Sequence, residues 1–240
     1  MTQLPDWLAD FGPTPDQEIS VSTSLHQKCS LVINYGNIVH QHALGVIVPN
    51  NTAIGAPGGA AAAVMYVVDQ VRKQYGDSDS THHIYDVLFP SLHIQNPILL
   101  QPGDVVLDME ERPQVGKLGA VAISKSLNEV RLHLQQGWER IIFGLIRHQG
   151  GDVSDGSIRV ATANSLEAAV RHKLQSVVMA PFGTGLFSIP VEKAASLMIP
   201  VIAGYCRGVN EQILKEVIIV MNDRQQFEEF KRTATHLLRE

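Results

Sequence analysis

This chain of 240 residues is short of several things, and each shortage narrows what it can be. It has two cysteines, Cys29 and Cys206. Both sit in apolar or helical patterns, so they read as small buried hydrophobes in a reducing compartment, not as a disulfide framework. No apolar run is long enough to span a bilayer. Met1 to Asp10 lacks the basic start and apolar core of a secretory signal. A cytoplasmic protein without membrane partners is the expectation. Charged residues make up 18% and the formal net charge is -5, which argues against a general nucleic-acid surface. There is no internal repeat and no low-complexity segment beyond a short alanine run. His40 and His42 alternate on a strand-like stretch and would share a face, but no cysteine or carboxylate stands at ligand spacing, so no metal or cofactor is implied. No Ser–His–Asp or Cys–His set emerges. What is abundant is apolar: 45% of residues, enough for one sizeable core.

Along the chain, residues 1–18 carry three prolines and read as an irregular lead-in, with a short helix around Trp7 and Leu8 as the one candidate element. From residue 19 to 240 the pattern alternates. Ile19 to Ser22 and Ser30 to Tyr35 read as strands by their β-branched content, joined through Thr23 to Lys28. Gly36-Asn37 punctuates, and Ile38-Val39 resumes. Leu44 to Val48 is an apolar strand that Pro49, lacking an N–H, should stop. Ala60 to Gln74 follows as a helix with Val64, Val67, Val68 and Val71 on one stripe. Residues 76–154 are harder to read. They hold a strand-like Val105 to Asp108, an apolar, parallel-type strand over Leu118 to Ile123, helical spacing over Leu127 to Trp138, and Ile141-Ile142-Phe143, which fits helix or strand. Ser157 to Lys173 is an amphipathic helix. Ser176 to Met179 is a buried parallel strand. Val191 to Tyr205 is a helix that Pro200 should kink or split. Glu216 to Met221 is the last strand, and Asn222-Asp223 caps a final helix with Phe227, Phe230 and Leu237 inward. Alternating strands and helices predict a three-layer α/β fold.

Two strand-to-helix connections carry the chemistry. Between Met179 and Val191 runs Ala180-Pro181-Phe182-Gly183-Thr184-Gly185-Leu186-Phe187-Ser188-Ile189-Pro190. Two glycines one residue apart let backbone N–H groups converge on an anion with no Cβ in the way, and the following helix adds partial positive charge. The competing reading is a tight connection in an α/β sheet. The second connection, Ile54 to Gly59, opens the alanine-rich helix. It reads either as close helix–strand packing or as a second wall of the same cleft.

The order of these motifs resembles the macrodomain family. Gly36-Asn37-Ile38 is similar to the family's Gly-Asp-Ile. Val46 to Ile54 is similar to its apolar strand ending in Asn-Ala-Ala-Asn. Gly58-Gly59 opens a small-residue helix, and Gly183-Thr184-Gly185-Leu186-Phe187 with Pro190 is similar to its Gly-x-aromatic-x-x-Pro loop. The resemblance covers roughly residues 28–75 and 155–235, with a divergent middle. It implies an α/β/α fold with a mixed central sheet and a cleft for ADP-ribose or a related NAD-derived nucleotide. Asn37 would stand where the family's Asp accepts from the adenine amine. Asn51 would bond the distal ribose, and any turnover would depend on it. Gly58 and Gly59 would offer N–H groups to ribose and phosphate. Gly183, Thr184, Gly185 and Leu186 would wrap the diphosphate. Phe187 would pack on the distal ribose, against the alternative of a plain core aromatic. Asn222 and Asp223 would line the adenine end, one of them being a helix cap first.

The resemblance also implies partners: a free nucleotide, and ADP-ribosylated protein as a second class. Hydrolytic members usually place an Asp or His just after the second glycine-rich loop, where this chain has Ala60 to Ala63. General acid–base help is typically worth about 10²–10⁴-fold, so binding leads. An ADP-ribosyl hydrolase and a divergent nucleotide sensor or scaffold are the alternatives. For a hydrolase, His82, His83, His93, Asp108, Glu110 and Glu111 are substitutes by residue type.

Overall fold

The computed structural model describes residues 20–26, 29–51, 59–75, 121–124, 126–127, 134, 136–148, 151–185, 187–207 and 213–239. Its elements in chain order are β1 (Ser20–His26), β2 (Cys29–Tyr35), a 3-10 turn (Ile38–His40), β3 (Gly45–Asn51), α1 (Gly59–Tyr75), β4 (Val121–Ile123), β5 (Arg140–Arg147), α2 (Asp155–Arg171), β6 (Ser176–Met179), α3 (Val191–Cys206), β7 (Glu216–Met221) and α4 (Arg224–Leu237). The strands form one sheet in the order β1-β2-β7-β6-β3-β5-β4. The inner five strands run parallel, while β1 against β2 and β4 against β5 are antiparallel, so the sheet is mixed, as expected.

Period-two alternation sorts the strand side chains onto two faces. Ile47, Ile142, Val177, Met179, Val217 and Ile219 point to one face, where α2, α3 and α4 cover them. Val46, Val48, Ile141, Phe143, Val178 and Ile218 point to the other, where α1 lays its valine stripe (Val64, Val67, Val68, Val71) over them. A strand buried on both faces must be apolar throughout. That is why Glu216–Met221 and Ser176–Met179 were readable to the residue.

Several expectations are corrected. Pro49 lies inside β3 and does not end it. Ile47 accepts from Ala180 N–H on the β6 side. By alternation Pro49 faces that side too, past the last β6 residue, where no ladder bond is lost. The strand expected to resume at Ile38-Val39 is the 3-10 turn, so His40 and His42 do not alternate on a strand face. β4 is an antiparallel edge strand and not a parallel one. Ile141 to Phe143 is strand. Pro200 does not split α3, which is one helix from Val191 to Cys206. The proline is on its exposed side, and burial of Leu197, Met198, Ile199 and Ile202 around it outweighs the lost backbone bond. Leu127 and residues 136–138, the ends of an expected helix, are irregular. The largest correction concerns the cysteines. Both are buried, but they are not separate thiols: Cys29 and Cys206 form a disulfide, with Cα atoms 5.7 Å apart. The cysteine argument for a reducing compartment falls with it. Among the described residues no helix is long and apolar enough to cross a membrane.

The lead-in, the strand at Val105 to Asp108, His82, His83, His93, Asp108, Glu110 and Glu111 lie outside the described residues, as do Gly58 and Leu186.

Candidate functional site

Because β2, β7, β6, β3 and β5 are parallel, everything that follows them emerges along one edge of the sheet. That edge receives Gly36 to Ile38 after β2, Asn222 and Asp223 after β7, Gly183 to Phe187 after β6, Asn51 at the end of β3, and Arg147 at the end of β5. Residues far apart in sequence are thus ranked in a line across the strands. Neighbours β3 and β6 lead to helices on opposite faces, α1 and α3. Such a switch opens a crevice at the carboxyl edge between the two strands, where ligands of open α/β sheets bind.

The β6–α3 loop is rooted by Phe182, fully buried, whose N–H meets the Met198 sulfur at 3.2 Å. The loop closes on itself through Ser188 N–H to Gly185 O and Ile189 N–H to Gly183 O, both 2.9 Å. The Thr184 hydroxyl donates to Pro181 O at 3.3 Å. Among the described residues the amides of Gly183, Thr184 and Gly185 have no acceptor. Gly183 is obligatory: its φ of +85° is left-handed, and a Cβ there would stand 2.8 Å from Ile189 Cγ1. Gly185 is different, being exposed with nothing within 4 Å of the Cβ direction. Open space beside unengaged amides is what an anion needs. α3 begins at Pro190 with no side-chain cap, so its first turn is also unblocked. Gly59 starts α1, the helix after β3, at φ +52°.

At the far side, Asn37 Oδ1 accepts from Val39 N–H at 3.2 Å and caps the 3-10 turn. The turn is braced from beneath by buried amides: Asn34 Nδ2 to Gln41 Oε1 at 2.8 Å, and Gln136 Nε2 to Val39 O at 2.6 Å. Ile38 is buried under it. Asp223 is the cap of α4, accepting from Gln226 N–H at 2.8 Å, and Asn222 beside it is exposed.

Phe187 is half-buried. Its ring packs on the core and carries the Arg147 guanidinium 4.5 Å above its centroid. Arg147 was not singled out in the sequence, and neither was Gly144. A Cβ on Gly144 would stand 2.6 Å from Phe182 Cζ, so this glycine makes the seat on which the loop is rooted. One signal was available: an arginine closing the apolar run Ile141 to Ile146. The partner of Gly144 had none, since it arrives from another strand. Among the described residues no group of His, Cys, Asp or Glu is placed to hold a metal.

Residues 139–198 match the Macro domain family model. No curated protein sequence matches the chain. Among solved structures, the Oceanobacillus iheyensis macrodomain with MES bound shares 16% identity at a TM-score of 0.63, over 93% of this chain and 99% of that one. The same organism's macrodomain with ADP shares 14% at 0.61, over 93% and 99%. The Trypanosoma brucei macrodomain in complex with ADP-ribose shares 11% at 0.55, over 84% of this chain and 68% of that one.

Proposed function

From the premise that this chain has the macrodomain fold and carries the family's sequence pattern over 139–198, we propose that it binds ADP-ribose or a related NAD-derived nucleotide at the carboxyl edge of the sheet. One observation carries the reading: three successive amides, Gly183 to Gly185, without acceptors among the described residues, the last of them beside open space, at the strand switch where such folds take ligands. Two similar structures hold ADP or ADP-ribose. In this reading the diphosphate lies on Gly183 to Leu186, with Gly58 and Gly59 on the opposite wall. The adenine lies toward Asn37, Ile38, Asn222 and Asp223. The distal ribose lies between Asn51 and Phe187. An ADP-ribosylated protein reaches the same cleft through its attached nucleotide.

The reading is binding, without a committed turnover step. The first turn of α1 starts Gly59-Ala60-Ala61-Ala62 and offers no acid or base. Isothermal titration with ADP-ribose, AMP and NAD tests it. ADP-ribose should bind near micromolar, about -8 kcal/mol, and well above AMP. No heat and no thermal shift with ADP-ribose would leave the fold without this function. Release of ADP-ribose from a modified protein, lost in Asn51→Ala, would move the reading to the hydrolase alternative. A preference for another nucleotide would move it to a divergent sensor.

A further inference from the structure

Arg147 is a cation with no part in the fold that its surroundings explain. It ends β5, in register with Asn51 of β3, and its guanidinium lies 4.5 Å over the Phe187 ring. Its Nε is buried and has no hydrogen-bond partner among the described residues. Among the described residues no carboxylate pairs with it, whereas Lys193, Lys231 and Arg232 each have one. Holding a long charged side chain in one place costs side-chain entropy, and contact with an aromatic ring recovers only part of it.

Stacking occupies one face of the guanidinium. The N–H groups lie in its plane and point sideways, so a stacked arginine keeps its fork for a planar or tetrahedral anion. The ring that holds it belongs to the loop carrying the Gly183 to Gly185 amides. The strand beside it ends in Asn51. Its charge is therefore at the β3–β5 end of the line, opposite the β2–β7 end that takes the adenine in the reading above.

Resting on that reading, we infer that Arg147 is a ligand-contacting residue that engages the phosphate nearest the distal ribose, with Phe187 as the platform that aims it. Arg147 then makes the site select a diphosphate over a monophosphate, a role the glycine loops alone do not supply. Calorimetry on Arg147→Gln and Arg147→Lys, with ADP-ribose, ADP and AMP, tests this. Arg147→Gln should lose roughly 10- to 100-fold on ADP-ribose and on ADP, the worth of a charge-assisted hydrogen bond. AMP should be unchanged, and the salt dependence of ADP-ribose binding should flatten. Arg147→Lys keeps the charge without the fork and should fall between, and it carries the test if Arg147→Gln fails to fold. Equal loss on all three ligands would mean that Arg147 only props Phe187. Loss on ADP-ribose without loss on ADP would move the contact to the ribose. Either result overturns the assignment, as does unchanged affinity for all three. If wild-type protein binds no ADP-ribose, the function reading itself has failed. If it binds and Arg147→Gln binds equally, only this inference has.

Discussion

The amino edge of the sheet and the β6–α3 loop at its carboxyl edge treat their backbone amides differently. At the amino edge the amides are engaged. Leu44 N–H meets Ser176 Oγ at 3.0 Å, Glu139 N–H meets Leu44 O at 2.7 Å, Lys215 N–H meets Gln175 O at 2.7 Å, and Ser30 N–H meets Lys215 O at 2.9 Å. The same edge holds the Cys29–Cys206 disulfide, where α3 returns across the sheet to the start of β2. At the carboxyl edge, Gly183 to Gly185 leave three amides without acceptors among the described residues. Gly185 is exposed, so a donor at the carboxyl edge faces solvent where those of the amino edge bond to protein. The difference separates the two edges without reference to any relative.

If that separation is real, damage at one edge should leave the other's property alone. The largest effect should come from the disulfide. It closes a loop of 177 residues in sequence, and loop-closure entropy for that length gives roughly 5 kcal/mol. Cys206→Ser, or reduction of the native protein, should lower stability in urea by about that much, while folded protein keeps its ADP-ribose affinity. A parallel loss of affinity would mean the edges are coupled. At the other edge, Gly185→Glu should do the reverse. Its Cβ meets nothing within 4 Å and its backbone is not left-handed, so the melting temperature should hold. The carboxylate would fill and repel the phosphate path, and affinity should fall roughly 100-fold, about 2.7 kcal/mol. An unchanged affinity with the fold intact would remove the loop from the site.

Gly144→Ala crosses the comparison deliberately. It lies mid-strand, yet its new methyl would press on Phe182, the root of the carboxyl-edge loop. Overpacking of this sort costs about 1–3 kcal/mol. Here both stability and ADP-ribose affinity should drop together. A loss of stability alone would show that the loop's geometry does not depend on its root.

How far the sequence carried is explained by the same distinction. Runs buried on both faces, Ser176–Met179 and Glu216–Met221, have one solution and were legible to the residue. So was the helix stripe from Val64 to Val71. What failed depended on a neighbour from elsewhere in the chain. Pro49 could sit in β3 only because β6 is short, and Cys29 meets Cys206 because α3 recrosses the sheet. Of the candidate site, the loops and their order were readable because glycine and proline act locally. Arg147 was not, since its meaning comes from Phe187, forty residues away in sequence and touching it in space.

The smallest effect tests the β7 end of the line, where a cap and a ligand contact compete for one residue. Asp223 accepts from Gln226 N–H at 2.8 Å, an ordinary helix N-cap. Replacing such a cap by alanine costs about 1 kcal/mol. Asp223→Ala should therefore lower stability by that amount and leave ADP-ribose affinity almost unchanged, because the carboxylate already answers to the helix. Asp223→Asn keeps a capping oxygen and removes the charge, and it should restore the stability. If alanine and asparagine instead both weaken ADP-ribose and AMP to the same degree, the carboxylate reads the adenine end. The carboxyl edge would then hold a charged contact at each end of the cleft, Asp223 under the base and Arg147 beyond the ribose.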